Sequence, residues 1–151
     1  MIHGTTRAAA LIGALALAGP ALAHEFNIGG LFVEHPYAPP TQAGATSAIG
    51  MLTIRNQTDE TEKLTDIRGP FDTVTLRHRV EVGDEMRLVP VDRLAIPRGG
   101  SVTLTAEALH VFFDGLAEDG FAKGDRIPTT FVFQNAGEME VIFVVETDAE
   151  Q

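Results

Sequence analysis

Pro128-Thr129-Thr130-Phe131-Val132-Phe133-Gln134 is followed by Asn135-Ala136-Gly137 and then by Glu138-Met139-Glu140-Val141-Ile142-Phe143-Val144-Val145-Glu146. Two runs rich in Val, Phe and Thr meet at a short break that contains glycine, which is the signature of a β-hairpin. Residues two apart on a strand point to the same side. Phe131 and Phe133 therefore belong to one apolar face, and Val141, Phe143 and Val145 to the face that meets it. These five are core candidates, and a half-buried hairpin of this kind needs further strands to cover it.

The chain before it supplies them. Short runs of Val, Ile, Thr and Phe alternate with polar residues and are separated by turn residues. They cover Phe26–Glu34 with a break at Gly29-Gly30, Ala45–Arg55, Lys63–Arg68, Val74–Val82, Met86–Val91, Ser101–Thr105 and Leu109–Phe113. Pro36, Pro39 and Pro40 are expected to keep their segment extended and out of any central strand. No helical period follows residue 24. The total is about eight or nine strands, the pattern of an all-β Greek-key sandwich.

Residues 1–23 read as a signal peptide. Arg7 precedes the small apolar run Ala8–Ala18, and Ala21-Leu22-Ala23 forms an Ala-x-Ala cleavage site. Cleavage after Ala23 would leave His24 as the first residue of one mature domain, 24–151, and would place it in the periplasm or otherwise outside the cytoplasm. The sequence has no cysteine and a net charge of −10, with no basic run. That balance argues against nucleic acid and, after signal cleavage, against anionic membranes as partners. A metal site would have to use His, Met, carboxylates or the amino terminus. No carboxylate pair, nucleophile with a base, or phosphate-binding loop stands out, so an enzyme is not expected.

Several segments in order resemble the periplasmic PCuAC-type copper chaperones. They are His35-Pro36-Tyr37-Ala38, Gly50-Met51-Leu52-Thr53-Ile54-Arg55-Asn56, Met86-Arg87-Leu88-Val89-Pro90-Val91, Ile96-Pro97-Arg98-Gly99-Gly100-Ser101-Val102 and His110-Val111-Phe112-Phe113-Asp114-Gly115-Leu116. Lys123-Gly124-Asp125 and the stretch Phe133–Val141 also fit. The resemblance implies a cupredoxin-like sandwich and the carriage of Cu(I) on two His and two Met, donors that suit a soft ion. The family pattern is a His, ten residues, a Met, twenty-one residues, then His-x-Met. In this chain those positions hold Arg77, Leu88, His110 and Phe112, so one donor of the four remains.

The remaining candidates are weighed by strand parity. His78 lies one place from the lost ligand and would replace it only through a bulge, because a one-residue shift reverses the side chain. Met86 shares a face with Leu88 and offers sulfur. Met51 and Met139 read as packing, His35 as a loop anchor and Asp114 as a turn residue. His24, with a free amine and a ring nitrogen, is a chelating pair for Cu(II), with His110 or His78 as a further donor. The candidate metal ligands are thus His110, His78, His24 and Met86. Copper is the expected metal, and the expected partner is a periplasmic protein that gives or receives it. The alternative is a metal-free binding or structural module on the same fold.

Overall fold

The computed structural model describes residues 25–147. Eleven strands follow one another: β1 (Glu25–Ile28), β2 (Leu31–Ala38), β3 (Ser47–Asn56), β4 (Glu62–Arg68), β5 (Thr73–Val82), β6 (Glu85–Val91), β7 (Leu94–Ile96), β8 (Ser101–Leu104), β9 (Leu109–Asp114), β10 (Arg126–Phe133) and β11 (Gly137–Val145). Among the described residues there is no helix. The pairing order is β6-β5-β9-β3-β2-β11-β10-β4-β7, with β1 added to β2 and β8 to β3. All pairs are antiparallel except β11 with β2. That parallel pair, between the last strand and an early one, brings the ends of the fold together.

β3 belongs to both layers. Ser47–Gly50 pairs with β9, and Leu52–Arg55 pairs with β8. Gly50 marks the crossing. A Cβ there would lie 2.6 Å from the Phe143 ring and 2.9 Å from the Phe113 ring, closer than any side-chain carbon tolerates in a packed core. Phe113 and Phe143 meet edge to face at 5.3 Å and 88°, and Phe131 packs against Phe143. Such a pair adds roughly 0.5–1.5 kcal/mol to the burial of each ring. The five expected core residues, Phe131, Phe133, Val141, Phe143 and Val145, are all buried.

Buried polar groups fix the loops. Asn56 at the end of β3 is fully buried. Its Nδ2 donates to the carbonyls of Glu60 (2.8 Å) and Ile96 (3.1 Å), and its Oδ1 accepts from the N–H and Oγ1–H of Thr58 (2.9 and 2.7 Å). Glu62 accepts from the backbone N–H groups of Lys63, Asn135 and Ala136, tying β4 to the β10–β11 turn.

Two expectations are corrected. The strand count rises to eleven: Phe26–Glu34 is a strand pair broken at Gly29-Gly30, as its sequence allows, and β7 adds a three-residue strand too short to show alternation. Pro36 does sit inside a central strand, buried in β2 between β3 and β11. It is tolerated because the register against β3 shifts between Glu34 and Tyr37. That bulge spares the missing N–H, and His35 beside it takes a left-handed φ of 48°.

Candidate metal centre

β9 pairs regularly with β5 from Leu109 to Asp114. Val111 and Phe113 are buried in the core, which turns His110 and Phe112 to the other face. Across the pairing with β5, His110 stands opposite Arg77 and Phe112 opposite Thr75. On β6, Pro90 stands opposite Arg77 and Leu88 opposite Arg79. Cross-strand partners share a face, so Arg77, Leu88, His110 and Phe112 all lie on one side of this layer. These are the four positions of the His/Met pattern.

The register therefore converges on a common patch, but the donor atoms do not. The Arg77 guanidinium lies 4.0 Å from the Phe112 ring centroid, and its Nε is 3.4 Å from Thr75 Oγ1. A cation stacked on an aromatic ring holds the place where two donors would converge. Leu88 contributes only hydrocarbon. The residues present do not fit a two-His, two-Met copper site.

His110 itself is fully buried, and neither ring nitrogen has a hydrogen-bond partner. Burial pushes its pKa down. The Ala108 carbonyl opposes that, Arg79 adds to it, the Thr105 carbonyl opposes it and Arg77 adds to it. These carbonyls belong to the 105–108 turn between β8 and β9, which is closed by Thr105 N–H donating to the Leu109 carbonyl (2.8 Å). They lie near the ring without forming a hydrogen bond of proper geometry. Burial thus favours the neutral imidazole, the form that binds metal ions. Leaving such a ring unpartnered costs about 1–3 kcal/mol per group.

The other candidates separate. The β5–β9 pairing runs without a shift from Thr73 to His78, so no bulge returns His78 to the His110 face. His78 pairs with Leu109 and Val89 and is exposed. Met86 shares the His110 face but pairs with Glu81 and is 60 % exposed. It lies four residues beyond the Arg77 level, roughly 13 Å along the ribbon. His24 lies outside the described residues. Asp114 stands at the far end of β9, level with Ser47 and Thr73. Among the described residues no group of three or more His, Asp or Glu is placed to hold a metal ion.

Met51 reads from the sequence as packing. It is buried at 4 % exposure yet lies outside the contiguous apolar core. Gly50 and Leu52 on either side face the core, so Met51 faces out. It lines a cavity of about 420 Å³ with His35, Tyr37, Thr105 and Glu107. The signal available in the sequence was parity along β3, hidden because β3 changes layer at this point.

A family model, LpqE-like, described as that of a lipoprotein, matches residues 31–145. Among solved structures, the copper-bound PCuAC domain from PmoF2 aligns with a TM-score of 0.68 at 23 % identity, covering 82 % of this chain and 98 % of that one. The apo PCuAC domain from PmoF1 gives 0.68 at 24 %, covering 82 % and 99 %. Apo-DR1885 from Deinococcus radiodurans gives 0.57 at 21 %, covering 99 % and 97 %. No curated protein matches the sequence. At these identities the structural matches speak for the fold, and the family model spans most of the chain. The chain belongs to the LpqE-like family, on the fold of the PCuAC domains.

Proposed function

We propose that the chain is an exported copper-binding protein of PCuAC type, with residues 1–23 as its signal peptide and 24–151 as its mature domain. Its copper site is altered: it is centred on His110 instead of the full His/Met set. Copper is its cargo, exchanged with another periplasmic protein, and no catalytic step is assigned to it.

The observation that carries this reading is the buried His110 ring, which has no hydrogen-bond partner at either nitrogen. A structural histidine at zero exposure would ordinarily be satisfied by its neighbours. Here the lone pair is kept free at the position where the family places a ligand. With the donors at Leu88 and Phe112 absent, Cu(I) binding is weaker than in an intact four-ligand member. A competition titration of the mature protein against a chromophoric Cu(I) chelator tests this. Measurable binding that His110→Leu removes is expected. Binding unaffected by His110→Leu, or no binding at all, overturns the reading.

A second reading, a metal-free module that keeps the fold, is favoured by one feature. The Arg77–Phe112 stack puts a fixed positive charge beside the pocket, where it repels a metal cation. Absence of binding in the same titration is the outcome that this second reading expects.

A further inference from the structure

We propose that Met51 is the sulfur donor of the copper site, paired with His110, so that the thioether comes from β3 and not from β6 or β9. The inference rests on the reading of His110 as a copper ligand. Its own evidence is separate and lies in β3.

The strand register puts the two residues at the end of one ladder, on the face away from the core. Gly50 pairs with Val111, and both face the core, so Met51 and His110 flank that pair on the same side of the layer. The β3–β9 pairing ends at Gly50 and Val111, so Met51 and His110 are the next residues beyond that last pair, with Tyr37 beside Met51 on β2 and Arg77 beside His110 on β5. Of these four, Met51 and His110 are the two buried members.

Chemistry selects the same pair. A thioether needs no deprotonation, and sulfur with imidazole nitrogen suits Cu(I), which accepts low coordination numbers. The other methionines of the mature chain are badly placed. Met86 is exposed on the outer ribbon, and Met139 is packed in the core. Met51 is buried outside the main apolar cluster, at the wall of the cavity beside the 105–108 turn. The cavity it lines opens beside the 105–108 turn and carries Glu107, a carboxylate that favours entry of a cation.

The test uses the full mature protein loaded anaerobically with Cu(I). Affinity is measured by chelator competition, and ligation by copper-edge X-ray absorption. Wild type is expected to show one sulfur bonded to copper. Met51→Leu, close in volume, is expected to remove that sulfur signal and weaken binding about tenfold or more. Met86→Leu is expected to change neither. Protein carrying selenomethionine in a Met86→Leu background gives an independent readout: selenium bonded to copper is expected, and the absence of a copper–selenium contact overturns the proposal even if Met51→Leu fails to fold. Binding lost in His110→Leu but unchanged in Met51→Leu overturns the Met51 assignment alone. Binding unchanged in both, or absent in wild type, overturns the underlying reading as well.

Discussion

At the scale of the residue, His110 has a consequence that separates a metal ligand from a structural histidine. A hydrogen-bonded core histidine stabilises the fold, and removing it destabilises. An unpartnered one imposes the cost of dehydrating two ring nitrogens. His110→Leu in the metal-free protein is therefore expected to leave the melting temperature unchanged or higher, a gain of up to about 1–3 kcal/mol, as scanning calorimetry would show. A loss of stability would mean that the ring is satisfied in solution. The pH dependence follows from the lowered pKa. The neighbours that set it are Arg79 and Arg77 on β5 and the carbonyls of the 105–108 turn; no carboxylate pairs with the ring. Above pH ~6.5 the ring is neutral in both folded and unfolded chains and adds no slope. As pH falls below that value the unfolded chain takes up a proton first, so the folded state loses stability until the lowered folded pKa is reached. The slope is at most about 1.4 kcal/mol per pH unit. Urea midpoints of wild type and His110→Leu between pH 5 and 7.5 should diverge in that window, with wild type falling faster. Equal slopes would show that His110 does not titrate abnormally.

At the scale of the element, the β6–β5–β9 layer places Arg77, Leu88, His110 and Phe112 on one face, with a metal-donor atom only at His110. Main-chain register does not depend on which side chain sits at an outward position, so the geometry persists when the chemistry changes. This makes a gain-of-function experiment direct. Arg77→His with Leu88→Met and Phe112→Met is expected to raise Cu(I) affinity at least about tenfold over wild type, because it restores two thioethers and an imidazole and removes the stacked cation. The chelator titration reads the result, and no gain would mean that the side chains do not converge despite their shared face. Parity also explains what was legible in the sequence. Val74, Leu76, Val111 and Phe113 alternate regularly, so the inward face and the opposite placement of His78 from His110 follow from counting. Met51 did not follow from counting. Its strand pairs with β9 up to Gly50 and with β8 from Leu52, and nothing local marks the change of partner. Pro36 failed for a related reason: a proline argues against a central strand only when no bulge accommodates it, and the bulge at His35-Pro36 is a tertiary feature.

At the scale of the whole molecule, the sandwich was legible because nearly every strand is bounded by turn residues and carries its own alternation. The strand order was not, because pairings such as β11 with β2 join residues more than a hundred positions apart. The same long-range pairing bears on the amino terminus. His24 lies outside the described residues, but its covalent neighbour Glu25 pairs with Glu34, the residue before His35, and His35 is exposed on its bulge with a left-handed φ. If the signal peptide is removed after Ala23, His24 carries a free amine as well as its imidazole, one residue ahead of this hairpin. Nitrogen donors of this kind suit Cu(II), whereas the proposed Met51–His110 pair suits Cu(I). The mature protein is therefore expected to bind Cu(II) through nitrogen at His24, with His35 as a further donor in preference to His78 or His110. Binding should weaken as pH falls, since amine and imidazole coordinate only when deprotonated. Electron paramagnetic resonance of the Cu(II)-loaded protein reads the donor set. His24→Ala, or one residue added ahead of His24, should change the spectrum and lower the affinity, and His35→Ala should remove one nitrogen. His110→Ala should leave the Cu(II) spectrum unchanged while abolishing Cu(I) binding. A spectrum indifferent to His24→Ala and to the added residue would rule out the amino-terminal site and leave the His110 pocket as the one place to look for copper.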